Sequence, residues 1–205
     1  MNMTDLFVEL IVAGSGVAVW MLLLVSGLVD VDWSGLVPGR LASLVVLIPF
    51  LSVVYVLGIV VDRVADRLFD LWDDPLRQER FRDSAGYHRA RTYVNTHGEA
   101  EIIGLFKYHR HRIRICRAWT LNFALLALAA PLFAYRRLSR IDLAIAALLG
   151  SLLLALACWG TWKRLAITDY KRLSETYTFL LRDRDPGSHP SNASTAPPPS
   201  QDTAL

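Results

Sequence analysis

Cysteine is nearly absent from this chain. Only Cys116 and Cys158 occur in 205 residues, with no C-x-x-C spacing, so neither a disulfide framework nor a cysteine zinc site is available. Also missing are the phosphate-cradling and dinucleotide signatures G-x-x-x-x-G-K-[ST] and G-x-G-x-x-G, the zinc-protease pattern H-E-x-x-H and the nucleophile elbow G-x-S-x-G. The histidines do not fill the gap. His109 and His111 are two apart and point in different directions on a helix, while His88 and His97 have no Cys, Asp or Glu spacing that completes a site. The chain therefore reads as a non-enzyme that needs no cofactor and no metal.

Charge is missing from four long stretches, and each is long enough to matter. A bilayer core of about 30 Å takes about 20 helical residues. Residues 6–29 hold one charge, Glu9, near their start. Residues 41–61 hold none, residues 118–135 contain Asn122 and Pro131, and residues 141–162 begin on Asp142. The chain is 53% hydrophobic, above the 45–50% usual for soluble domains, and its charges lie between these stretches. The sequence thus predicts an all-α, polytopic membrane protein with about four transmembrane helices. The first span lacks a basic leader and a small-residue cleavage site, so it is expected to stay in the mature chain. No span places an ionisable residue near mid-membrane, where pumps and ion-coupled carriers carry one.

Direction follows from Lys and Arg. Residues 62–117 carry 12 of them and the stretch after Trp162 six, against four on the opposite side: Arg40, Arg136, Arg137 and Arg140. Both termini are expected in the cytoplasm, with the protein in the cell (inner) membrane. The three arginines of the outer turn oppose this rule, and snorkelling to lipid phosphates is the reading given to them. Gly14 and Ala18, and Ala147 and Ser151, show small-xxx-small spacing suited to close helix packing, within one chain or between copies.

The organisation predicted is a first transmembrane hairpin (1–61), a basic cytoplasmic helical segment (62–117), a second hairpin (118–162), a cytoplasmic helix (163–182) and a disordered tail (183–205). The transmembrane helices are expected to extend into a small cytoplasmic helical bundle. Val64, Leu68, Leu71 and Trp72 form an apolar stripe, with Asp62, Arg63, Asp66, Arg67 and Asp70 on the other face and Arg63–Asp66 and Arg67–Asp70 as helical ion pairs. Asp73-Asp74-Pro75 is expected to stop that helix and start another. A helix beginning near Glu99 should run straight into the third span, with a strand over residues 112–115 as the alternative. A segment of this size buries too little core for an independent enzymatic domain.

Lys107, Arg110, His111, Arg114 and Arg117 recur at helical spacing and share a face, and Arg89 and Arg91 lie in the basic stretch before them. These are the candidate ligand-binding residues. Three uses stay open: holding anionic lipid headgroups, binding an anionic nucleotide or oligonucleotide through its phosphates, or docking a soluble cytoplasmic partner. In layout, with four spans over residues 6–162 and the basic segment over 77–117, the chain resembles the small multi-span effectors of bacterial anti-phage defence systems. No motif accompanies that resemblance and no functional residue carries over from it. It implies an oligomeric membrane effector or channel-like protein gated through its basic cytoplasmic helices. A non-enzymatic scaffold or assembly subunit is the alternative.

Overall fold

The structure, a computed structural model, describes residues 3–29, 40–81 and 83–184. These form five α-helices and no strand: α1 (Met3–Leu28), α2 (Arg40–Phe81), α3 (Ser84–His97), α4 (Ala100–Leu138) and α5 (Ile141–Arg184). The strand alternative at 112–115 is therefore replaced by helix. The expected tail from 185 onward, and the outer Asp30 and Asp32, lie outside the described residues.

Four helices are long and apolar enough to cross a membrane, α1, α2, α4 and α5. At 1.5 Å per residue, α2, α4 and α5 are about 63, 58 and 66 Å long, roughly twice a bilayer core. Each therefore has an apolar half and a charged half. α4 and α5 form a hairpin about Ser139, whose left-handed φ of 52° lets its N–H reach the Ala134 carbonyl. Arg140 pairs with Asp142 in the first turn of α5 at 2.8 Å.

α1 and α2 cross where glycine removes the obstacle. A Cβ at Gly14 would overlap the Val54 carbonyl oxygen, and one at Gly58 the Leu10 carbonyl oxygen. Gly14 was legible as a packing position, whereas its partner is Gly58, which the small-residue spacing did not single out. Asn122 joins α4 to α1 by donating to the Ala13 carbonyl at 2.9 Å, and its own oxygen accepts from Trp20 Nε1 at 3.4 Å. At the hairpin end Arg137 donates to the carbonyls of Ser26 and Val29, 2.7 and 2.9 Å away. The awkward arginine thus caps the carbonyl-rich end of α1, where a cation is favoured.

Two expectations about α2 are overturned. The helix does not stop at Asp73-Asp74-Pro75, but runs through Pro75 to Phe81. Proline here removes one backbone N–H, while Asp73 and Arg77 on either side are anchored by side-chain contacts to α4 and α5. Tertiary contacts outweigh the local stop signal. Second, the apolar stripe is not the packed face of the helix, while Arg63, Arg67 and Asp70 of the charged face stay exposed. Val64, Leu68, Leu71 and Trp72 are exposed, and Asp62, Ala65, Phe69 and Asp73 are the buried residues.

α3 begins on Asp83, whose carboxylate accepts from the Gly86 N–H at 2.6 Å, and ends where the Gly98 N–H reaches the Val94 carbonyl. Tyr87, Ala90 and Val94 make its inward face. With Phe69, Ile113, Trp162, Ala166, Tyr170 and Leu173, Tyr87 and Val94 belong to one hydrophobic cluster joining α2, α3, α4 and α5. This cluster underlies the charged end of the molecule.

Candidate functional site

The buried carboxylates of α2 decide what the basic face of α4 does. Asp62, Asp66, Phe69 and Asp73 sit at i, i+4, i+7 and i+11, one face of a helix. That face meets α4. Arg114 forms a bidentate pair with Asp62, through Nε at 3.2 Å and through Nη2, and lies 3.8 Å from Glu9 of α1. His111 Nδ1 is 2.6 Å from Glu9 Oε2. Arg117 reaches Asp73 at 3.0 Å and Asp66 at 3.4 Å, and its guanidinium lies beside the packed Phe69–Trp162 ring pair, 5.9 and 5.7 Å from their centroids. Asp73, 1% exposed, also accepts from Arg77 at 2.6 Å. One carboxylate thus ties two arginines from two helices.

Around these pairs lies a cavity of about 270 Å³, walled by α2, α3, α4 and α5. Five arginines line it (Arg77, Arg91, Arg110, Arg114 and Arg117) against four aspartates (Asp66, Asp70, Asp73 and Asp169). Arg77 donates to the Tyr170 hydroxyl at 3.2 Å and Arg91 to the Tyr87 hydroxyl at 2.8 Å; both guanidiniums lie over the Tyr87 ring. Burial raises the Tyr87 and Tyr170 hydroxyls above their ordinary values, with Asp73 adding to the effect at Tyr170. Burial likewise raises the Asp169 carboxyl, and burial and then the charge of Asp62 raise Asp66. Asp73 Oδ1, Asp169 Oδ1 and Arg117 Nε are buried without a hydrogen-bond partner among the described residues. Such polar atoms are costly to leave unsatisfied.

The seven residues predicted to bind a ligand separate into three groups. His111, Arg114 and Arg117 are engaged by Glu9, Asp62, Asp66 and Asp73. Arg91 and Arg110 line the chamber, and neither has a carboxylate within ion-pair distance among the described residues. Lys107 and Arg89 are exposed and lie away from it; Arg89 borders a shallow groove with His88, Thr92, Tyr93, His97 and Tyr177. Sequence reading missed Glu9, Asp73, Arg77, Asp169 and Tyr170. The 62–66–73 carboxylate spacing was the available signal, but a complementary apolar stripe on the same helix pointed the other way. The helical pairs Arg63–Asp66 and Arg67–Asp70 give way to these longer-range contacts. Among the described residues no group of three or more His, Cys, Asp or Glu is arranged to hold a metal ion, and both cysteines are free thiols.

No protein-family model matches the chain, and neither a curated protein nor a solved structure shows significant similarity to it.

Proposed function

We propose that the protein is a multi-pass effector or channel-like protein of the cell (inner) membrane, with the charged end of its helices in the cytoplasm. It works as a homo-oligomer and is gated by an anionic ligand, a nucleotide or oligonucleotide, or by a partner that engages the arginine-rich chamber. Anionic headgroups hold the flanking exposed arginines. Both termini are cytoplasmic in this reading, as the excess of Lys and Arg at that end supports.

One observation carries the proposal. α2, α4 and α5 run unbroken from the chamber into their apolar halves, and Arg117 bridges all three through Asp66, Asp73 and Trp162. A phosphate entering beside Arg91 and Arg110 competes with those carboxylates for Arg114 and Arg117, since charge-assisted pairs to phosphate are strong and often bidentate. Any shift of Arg117 between partners is then a displacement of α4 against α2, carried directly into the membrane. Coupling of this kind between a ligand and a distant equilibrium is typically about 1–3 kcal/mol.

Proteoliposomes carrying the purified protein and a trapped dye test it. Nucleotides and short oligonucleotides should release dye from wild type. The double variant Arg91→Gln/Arg110→Gln, which leaves the internal ion pairs in place, should lose that response. Equal release from both proteins would refute the assignment of the chamber.

A second reading has its own support. Leu105 and Tyr108 are exposed on α4, 49% and 58%, among Lys107, Arg110 and Arg112, a combination suited to docking an acidic soluble protein. A stable hetero-complex in detergent, lost on Tyr108→Ala and accompanied by no dye release, would favour this scaffold role.

A further inference from the structure

α2 is amphipathic in the opposite sense to a helix that merely continues into water. Beyond its expected exit point at Val61 it keeps an exposed apolar stripe: Val64, Leu68, Leu71 and Trp72, with Leu71 72% exposed. This stripe continues that of Val53, Val56 and Val60 in the span itself, also exposed. If α2 ran straight down beside α4, these side chains would stand well clear of the hydrocarbon.

The contacts of the helix say otherwise. Val61 packs with Ala118, and Asp62 pairs with Arg114. Further along, Asp66 pairs with Arg117, Phe69 packs on Trp162 at 4.7 Å, and Trp72 on Trp159 at 4.7 Å. Trp162 lies over the Arg117 guanidinium, so it sits at that level of the α4–α5 hairpin. From Val61 to Trp72 α2 advances about 16 Å along its own axis, yet its partners stay within a few residues of Arg117. α2 therefore crosses the hairpin steeply, and the stripe does not descend away from the membrane. Depth can be read from α4: Arg117 lies about 30 Å below Arg137, the thickness of a hydrocarbon core.

We infer that residues 64–72 of α2 lie along the inner boundary of the bilayer, with Val64, Leu68, Leu71 and Trp72 against the acyl chains of the cytoplasmic leaflet. This rests on the membrane-spanning reading but not on gating. Arg63 and Arg67 are exposed beside the stripe and complement lipid phosphates, while Trp72 and Trp159 stand where amphipathic aromatics gather. The arrangement is that of an interfacial amphipathic helix, whose apolar face sits in the headgroup–acyl boundary. It accounts for the exposed apolar stripe of α2: Asp62, Asp66 and Asp73 turn toward α4 because the stripe meets lipid. The ion-pair layer then lies just beneath the hydrocarbon, shielded on one side by this helix.

Site-directed spin labelling in liposomes tests the inference. Cys116→Ser and Cys158→Ser supply a background for single labels at Leu68→Cys, Leu71→Cys, Asp70→Cys and, as a mid-span reference, Leu152→Cys. Labels at Leu68 and Leu71 should collide with oxygen and be shielded from a water-soluble nickel complex, as at Leu152, and the label at Asp70 should show the reverse. Nickel access at Leu68 and Leu71 with shielding at Leu152 would overturn this inference and leave the membrane reading standing. Shielding of Leu68 and Leu71 from both reagents would overturn it too, because a second copy would then cover the stripe. Nickel access at all four positions would remove the membrane reading itself. Should one labelled variant fail to fold, the other of the Leu68/Leu71 pair carries the same test.

Discussion

Replacing Asp73 by leucine strips two arginines of their shared carboxylate, and the two do not suffer equally. Arg77 is 21% exposed and keeps Asp70, Asp74 and the Tyr170 hydroxyl, so it can turn toward water. Arg117 is 10% exposed, packed beside two aromatic rings, and keeps only Asp66 at 3.4 Å. The loss is therefore mainly that of one stranded buried cation. Removing one partner of a buried pair costs about 3–5 kcal/mol, and the surviving Asp66 contact puts Asp73→Leu near the lower end, about 3 kcal/mol. For a chain of this size that lowers the melting temperature by about 6–12 °C. Adding Arg117→Met removes the stranded charge, and replacing a whole buried pair by apolar side chains is often neutral. The double variant should therefore recover most of the loss. Thermal unfolding followed by circular dichroism in mild detergent, on wild type, both single variants and the double, reads this out. Strictly additive losses, or an Asp73→Leu protein that melts with wild type, would refute the role given to Asp73.

Three further outcomes follow from the same contacts. Gly58→Ala drives a methyl into the Leu10 carbonyl, where backbone cannot yield, and should cost about 3 kcal/mol, the upper end for overpacking. Gly150→Ala, which meets nothing within 4 Å and replaces a glycine inside a helix, should not lower the melting temperature. Arg137→Ala uncovers the carbonyls at the end of α1 and should cost about 1–2 kcal/mol in the same melt, more than Arg136→Ala, whose side chain is exposed. The raised Asp169 carboxyl means that the folded state holds a proton the unfolded chain has released, so stability should fall as pH rises above about 4, the ordinary aspartate value, and level off once Asp169 has ionised. Asp169→Asn should flatten that slope, and an unchanged pH profile would count against burial as its cause.

Much of the architecture was legible because hydrocarbon-length apolar runs leave the backbone little choice but helix. The start of α4 after Glu99 and the long apolar stretches could be read from spacing, whereas Asn95, Thr96 and His97, whose residue types read as a turn, still belong to α3. What was not legible shares one cause: it depends on where helices meet. Gly58 looks like any span glycine until the Leu10 backbone lies against it. Pro75 carries a local stop signal that the pairing of Asp73 and Arg77 overrides. The α4 basic face was visible as a face, but its periodicity says nothing of the carboxylates that α2 and α1 bring to it. Lys107, Arg110, His111, Arg114 and Arg117 look equivalent in sequence, and the structure divides them into His111, Arg114 and Arg117 in internal pairs, Arg110 lining the chamber and Lys107 away from it. The packed face of α2 was hidden for the same reason, since helical spacing defines two faces without saying which one is covered.

The account depends most on the helices crossing a bilayer with their charged ends on one side. Fusing alkaline phosphatase or a fluorescent protein in turn after Arg184 and within the Ser139 turn measures this directly. The turn fusion should be active as phosphatase and dark as a fluorophore, and the Arg184 fusion the reverse. The same signal from both positions would contradict the four-span arrangement and everything derived from it.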